Sequence, residues 1–430
     1  TAAQLAKLAA DVNSGTDYSG TYFKLGADLD LGGSDRIWTP IGDATHTFKG
    51  NFNGDGKTIS NMYAHGKNTN NKTYGYRALF GNITGGAIEN FTLASPSSTG
   101  AWGYIAAAVA YGSGATVKNI IITNPNVTTQ AKSNKGFAGG VAGHIADGVI
   151  ENCKIVSGTL DSKFKCTGGV VGYATDAQIS GCSVKDVTIS STSQYVGGIV
   201  GQLQYTDGNN SIENCTVENC AISSTSSAVG GVVGYAYGNS AGIITVKLCS
   251  VTGGSVTASH YAGGLMGQSF YADIIGCCNY GASVTATGSS GYAGGILGYY
   301  NIGNCYSCFS SAVITASKNP GGIIGGDQAN YYECAYDKTL YTNKNLTYSS
   351  TKGFTAEEIE DGAAAYHLAN TGTREKNFHN WGQKIGTDLY PVWNTNNDSS
   401  IVVYREESSN GYIYFNEGTV DVFEPNEDGY

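Results

Sequence analysis

Positive charge is scarce in this chain, and arginine more so. Of 430 residues only 24 are Lys or Arg, and the arginines are Arg36, Arg77, Arg374 and Arg405. With a formal net charge of −10 and no basic stripe, the sequence excludes nucleic acid as a partner and disfavours an anionic membrane surface. Long apolar runs are also missing. Nothing approaches the ~18–20 residues needed to span a bilayer, so no membrane insertion is expected. The longest candidate, Tyr104 to Tyr111, reads as one eight-residue strand. Proline is rare, at 6 residues, so the abundant glycine (62) does not signal collagen. No His-Glu-x-x-His zinc motif occurs, and the histidines (His46, His65, His144, His260, His367, His379) are scattered. No leader is visible, because Thr1 opens directly into a capped helix.

What is present is repetition. The string Gly-Gly-φ-φ-Gly, with φ an apolar residue, begins at Gly139, Gly168, Gly197, Gly230, Gly263, Gly294 and Gly321. Degenerate copies are read at Arg77 (RALFG) and Ala107 (AAVAY), and successive starts lie 27 to 33 residues apart. Each string is followed by a second element, as in IENFTL at Ile88, IENCKI at Ile150 and IENCTV at Ile212. A third, such as VTIS at Val187 or SVTA at Ser255, closes the period. Three short β-rich segments per ~30 residues describe one turn of a solenoid that cannot bury its inner face without its neighbours. The expected fold is all-β: a right-handed parallel β-helix of about ten coils, right-handed because such crossovers overwhelmingly are. Nine coils from Arg77 would extend roughly 38 Å.

The columns have assigned roles. Asn61, Asn90, Asn119, Asn152, Asn214 and Asn304 share one slot, where Asn tolerates a left-handed bend. The next slot holds Met62, Phe91, Ile120, Cys153, Cys182, Cys215, Cys249, Cys305 and Cys334. Thiols that alternate with large apolar residues behave as small core groups, with disulfides or a metal as the alternatives. Strand alternation forbids both apolar residues of a Gly string from facing one core unless the chain bends between them, so one column is expected to point outward under a cover.

Capped ends are expected as well. Thr1 to Gln4 forms a capping box, and Leu5, Leu8, Ala9 and Val12 give a helix over about residues 1–13 with one apolar face. Thr355 to Glu358 opens another helix, with Ile359, Ala363 and Tyr366 on one side. Strands at Ile401, Tyr412 and Val420, with a turn at Asn410-Gly411, follow. The division is a β-helix with its N-terminal cap over 1–344 and a small α+β C-terminal cap or module over 345–430.

The Gly-Gly-φ-φ-Gly string with Ile-x-Asn-Cys resembles the GLUG repeat of bacterial surface and secreted proteins. The flanking segments YFKLGADLDL (from Tyr22), WTPIG (from Trp38), FKGNFNGDGKTISNM (from Phe48) and WGQKIGTDLYPV (from Trp381) look like those that accompany such repeats. The resemblance implies an exported, secreted or cell-surface bacterial protein of adhesin type. It also implies kinship with the non-catalytic regions of IgA-specific peptidases.

Two rows are candidate sites. Phe137, Tyr195, Tyr261 and Tyr292 stand two residues before a Gly pair, while Tyr173, Tyr235 and Tyr299 follow the closing Gly. Such a row either stabilises a sheet face or contacts glycans or proteins. Asp147, Asp176, Asp207 and Asp273 fall shortly after a Gly string, and a stacked row of carboxylates would serve a carbohydrate-active lyase or glycosidase, or bind Ca²⁺. Asp is equally a turn former. Asp28-x-Asp30 and Asn53 to Gly56 lack the full calcium-loop pattern and read as turns. The preferred reading names no catalytic residue, no cofactor and no metal. Its partners are host or microbial surface glycans or proteins.

Overall fold

In the computed structural model the chain forms a parallel β-solenoid of about nine turns. Residues 1–66, 75–130, 133–326, 330–340, 351–370, 378, 380–396, 403–408 and 411–416 are described. Each coil contributes strands to three stacks of parallel pairings: one wide sheet of 21 strands, a pair of sheets with 9 and 8 strands, and another with 9. In-register stacking places like residues on like. Ile150, Ile179, Ile212 and Val246, for example, form one buried ladder.

The wide sheet bends where the Asn slot was expected. Asn61, Asn90, Asn119, Asn152 and Asn214 all have φ between 53° and 62°. One rung of an amide ladder forms, with Asn119 Nδ2 donating to Asn90 Oδ1 at 2.9 Å. The later coils fill the bend differently. Gly181, Leu248, Gly276, Ser307 and Glu333 take the same left-handed conformation. Asn304 does not belong there, because it pairs with Asp273 and Asn330 inside a strand. Its neighbour Cys305 is displaced with it and pairs with Ile274. The thiol column therefore runs Cys153, Cys182, Cys215, Cys249, Cys277, Cys308, Cys334, with Cys277 and Cys308 in the slot that follows the bend. All 11 cysteines are buried and none is in a disulfide. The S–H groups of the column donate to backbone carbonyls, as Cys215 does to Glu213 at 3.3 Å.

Large rings fill the first coils, where Phe48, Phe52, Phe80 and Phe91 pack at centroid distances of 5.2 to 5.9 Å. Helix α1 (Ala2–Asn13) closes that end with Leu5, Leu8, Ala9 and Val12 buried and the Thr1–Gln4 capping box formed. At the far end, α2 (Ala356–Glu360) and α3 (Ala363–Asn370) are separate helices, broken at Gly362, whose φ is 86°. Ile359, Ala363 and Leu368 are buried there, while Tyr366 is only half-buried. Indoles tie this cap to the bends. Trp381 Nε1 donates to Ser307 O at 3.1 Å, and Trp393 Nε1 to Gly276 O at 2.8 Å. Val403–Ser408 and Gly411–Asn416 form an antiparallel pair in which Ser408 faces Gly411. Gly411 is thus a strand residue and not the second turn position. The segment at Val420 lies outside the described residues.

No helix among the described residues is long and apolar enough to cross a membrane.

Candidate functional site: the aromatic crease

The Gly strings build a feature that alternation alone did not predict. An incoming strand such as Phe164–Gly168 ends on the first Gly, and an outgoing strand such as Val171–Thr175 begins at the second apolar residue. Between them the chain folds back sharply. Successive amides of Val170 and Val171 both bond Ile199 O, at 2.9 and 2.8 Å, and the same doubled bond recurs in Ile199 and Val200. The fold points both apolar residues into the core. Val170, Val171, Ile199, Val200, Ile296 and Leu297 are all at most 1% exposed. The expected outward column does not exist, because the chain bends at every coil where a strand was assumed to run on. For the same reason Tyr104 to Tyr111 is two strands, Gly103–Ala106 and Val109–Ser113.

The outer faces of the incoming and outgoing sheets then meet, and glycine makes this possible. A Cβ on Gly172 would lie 2.7 Å from Ala138 N and O, and one on Gly201 would lie 2.6 Å from Thr167 N and Gly172 O. On the incoming side, a Cβ at Gly139 would stand 2.0 Å from Ala142 O. Backbone packs on backbone here. Register puts Ala78 and Ala106, one residue on and one back from the starts expected at Arg77 and Ala107, in the slot of the first Gly.

Beyond this floor the side chains of the two sheets face each other across a crease that runs along the solenoid. The outgoing strand of one coil meets the incoming strand of the coil before it, so rings pair with a one-coil offset. Phe137 stacks on Tyr173 at 4.5 Å, Tyr195 packs on Tyr235 at 4.8 Å, and Tyr261 stacks on Tyr299 at 4.6 Å. Tyr292 joins the last pair, at 5.7 Å from Tyr261 and 5.3 Å from Tyr299. All seven predicted aromatics therefore belong to one strip, each half-buried. Burial raises the phenol pKa of Tyr173, Tyr195, Tyr235 and Tyr261.

Sequence reasoning missed the N-terminal part of the strip. Tyr76, Tyr104 and Tyr111 continue it, at 5.3 Å for both Tyr76–Tyr104 and Tyr104–Tyr111. His144 lies among Tyr104, Tyr111, Phe137 and Tyr173, with ring centroids 4.8 to 5.7 Å away. Burial lowers its pKa to about 4. The signal was available, since His144 follows a closing Gly as Tyr173 does. Two rungs carry no ring pair. Cys166 faces Gln202, its thiol donating to Oε1 at 3.3 Å, and two coils on Ala228 and Gln268 occupy the equivalent positions.

The acidic residues do not form one row. Asp147 and Asp176 share a bend, with φ of 51° and 48°. Asp207 lies in the loop beyond, and Asp273 is a buried strand residue accepting from Asn304 Nδ2 at 2.8 Å. Asp176 organises that loop, accepting from Thr206 N at 2.9 Å and Asn210 Nδ2 at 2.8 Å. Burial works against its charge, but the donors outweigh it and hold the carboxyl below its usual range. Among the described residues, no group of three or more His, Cys, Asp or Glu is arranged to hold a metal ion.

With this geometry in view, comparison with known proteins adds one sequence match. Residues 165–190 match the family described as the GLUG motif. That segment carries one Gly string, one Ile-x-x-Cys bend and the strand between them. No curated protein matches the chain. Among solved structures, a candidate immunoglobulin A1 protease from Bacteroides ovatus is 18% identical over 91% of this chain and 90% of its own, with a TM-score of 0.34. A structure described as IgA1 protease is 16% identical over 76% of this chain but only 23% of its own length, again at 0.34. The A-module of the Azotobacter vinelandii mannuronan C-5 epimerase AlgE4 is 10% identical over 81% and 95%, at 0.22. At such identities and scores these likenesses carry no argument about activity.

Proposed function

We propose that the chain is a non-catalytic, exported, adhesin-like module that binds or displays, and that the aromatic crease is its contact surface for glycans or proteins. The observation that carries this reading is the strip itself, in which half-exposed rings from two sheets line one crease over most of the coils, interrupted at the Cys166 and Ala228 rungs. Tyr presents a large, rigid contact area with a polar tip at low entropic cost. Contacts spread over several coils suit an extended ligand. A carbohydrate-active enzyme instead needs an acid and a base converging on one bond; of the four candidates only Asp147 and Asp176 share a bend, while Asp207 lies in a loop and Asp273 in a buried strand. The scaffold of an IgA-protease-like surface protein would share the same solenoid, with its catalytic groups elsewhere.

The test is a screen of the purified chain against glycans and matrix proteins, with turnover assayed in parallel. The Tyr195→Ala/Tyr261→Ala/Tyr292→Ala triple variant is then compared with the parent for affinity and melting temperature. Binding that survives in a folded triple variant moves the contact surface off the crease, and turnover by the parent overturns the non-catalytic reading.

A further inference from the structure

Two neighbouring coils depart from the repeat at the same corner. Elsewhere among the described residues the outgoing strand joins the wide sheet through one or two residues, as at Gly114–Ala115, Asp147–Gly148 and Asp176–Ala177. After Gln204 and again after Tyr237 the connection takes six, residues 205–210 and 238–243. In repeat proteins such insertions gather on one face, often the binding face. The two loops stand side by side, with Tyr205 N donating to Tyr237 O at 3.0 Å. Together with the outer face of the wide sheet they line a cavity of about 500 Å³. That size falls within the roughly 300–1,000 Å³ of small-ligand sites. Neither loop is slack. Buried Asp176 accepts from Thr206 N, Thr206 Oγ1, Asp207 N and Asn210 Nδ2. In the second loop, Asn239 Oδ1 accepts from Ala241 N at 2.8 Å and Gly242 N at 3.1 Å. The Tyr205 ring lies against Gly242, where a Cβ would stand 2.0 Å from a ring carbon.

We infer that this cavity binds a single neutral sugar unit, at a site separate from the crease and independent of the function proposed for it. The lining is accessible. Gln178, Asp207, Asn209 and Ile243 are exposed, and Tyr205 and Thr245 are half-buried. The amides of Gln178 and Asn209 donate and accept, and the Asp207 carboxylate accepts. The Tyr205 ring and Ile243 add apolar surface. A sugar carries the complement, with hydroxyls around its edge and C–H groups on its faces. Charged ligands fit worse. Among the described residues Asp207 is the one charged side chain on the lining, so an anion meets repulsion and no cation to pair with. A Ca²⁺ ion takes about six to eight oxygen ligands. The second carboxylate nearby, Asp176, has both oxygens committed to holding the loop.

Saturation-transfer NMR and calorimetry on the full chain test this with neutral hexoses and N-acetylhexosamines. Glucuronic acid, inorganic phosphate and Ca²⁺ serve as contrasting probes. At least one neutral sugar is expected to bind, and the charged probes are not. Asp207→Asn and Asn209→Ala change exposed side chains and should each weaken that sugar about three- to tenfold. Thr245→Trp, which fills the cavity from the wide sheet, should abolish binding, with circular dichroism and melting temperature reporting whether each variant is folded. The Tyr195→Ala/Tyr261→Ala/Tyr292→Ala variant should keep the sugar affinity of the parent. Methyl glycosides identify the source of the unit. If one anomer binds like the free sugar, the source is the end of a glycan chain; if both are lost, it is the free sugar, and either result supports the site. Absence of binding by every neutral sugar, tighter binding of a charged probe, or parental affinity in folded Asp207→Asn and Thr245→Trp overturns the inference. If sugar binding is lost in the folded Tyr triple variant and kept in the cavity variants, this site fails while the crease stands.

Discussion

The crease and the bend of the wide sheet are both repeated in every coil, and both are marked by glycine or asparagine, yet they tolerate substitution very differently. At the bend the chain itself tries Asn, Gly, Leu, Ser and Glu in one slot, all near φ of 48–62°. Only the backbone conformation is constrained there, and an unfavourable residue costs a fixed ~1–2 kcal/mol. At the crease the outgoing-strand slot is Gly in coil after coil (Gly143, Gly172, Gly201, Gly234, Gly267, Gly298, Gly325). The constraint is a backbone from the neighbouring strand occupying the place of the Cβ. One is a torsional preference and the other is exclusion of volume, so a repeat of glycine is stricter evidence than a repeat of asparagine.

Three perturbations sharpen this contrast. The largest effect should come from Gly201→Val. Its Cβ alone would lie 2.6 Å from two backbone atoms, so the two sheets must part over at least one coil, a loss of several kcal/mol. Because solenoid coils depend on their nearest neighbours, chemical denaturation should show a lower midpoint or loss of cooperativity. A midpoint equal to that of the parent would mean that the sheets are not held in backbone contact.

The next effect concerns the wall of the crease. His144 titrates at 6.5 in an open chain but at about 4 when buried among rings. The unfolded chain therefore takes up its proton first as pH falls. The stability linked to this group is complete above pH ~6.5, declines between 6.5 and 4, and levels off below 4. The difference amounts to roughly 3 kcal/mol. In His144→Tyr, which copies the residue found at Tyr173, that portion of the pH dependence should disappear from the denaturation free energy. An unchanged slope would place the His144 ring in water.

The smallest effect should be a gain. Leu248 is a branched residue held at φ of 51°, so Leu248→Asn, the residue of the equivalent Asn214, should stabilise by about 1 kcal/mol. Thermal melts compare the two. Destabilisation instead would mean that side-chain packing outweighs the torsional strain at this bend. A separate check bears on the adjoining slot. With every thiol buried, native protein should react with almost no thiol reagent and denatured protein with all 11 equivalents.

Much of this molecule was legible in the sequence because a solenoid repeats its constraints. One αL Asn is a weak signal, whereas Asn61, Asn90, Asn119, Asn152 and Asn214 at a common interval are a strong one. The cap of α1 was equally local, since Thr1, Gln4 and four apolar residues at helical spacing define it without reference to anything distant. Errors arose where the repeat slipped. Ala78 and Ala106 replace glycine, so the copies there were misaligned, and Tyr76, Tyr104 and Tyr111 fell out of the aromatic strip. Near the far end the coils shorten, and Asn304 and Cys305 imitated the Asn-Cys bend while sitting three residues ahead of the true one at Ser307 and Cys308.

By itself the sequence determined the period, the parallel stacking, the left-handed bends and the burial of the cysteines, because each follows from the residues of one coil repeated in register. Only the tertiary structure decided what the two apolar residues of the Gly string do. Period-two alternation is a rule for a strand that continues, and nothing local announces that this one folds back upon itself. The fold-back is stabilised by contact between backbones some thirty residues apart, Gly201 against Thr167 and Gly172. Likewise Phe137 and Tyr173, 36 positions apart, become one rung only because the outgoing strand meets the preceding coil. A one-coil offset between two sheets is a property of their packing, and no single coil contains it.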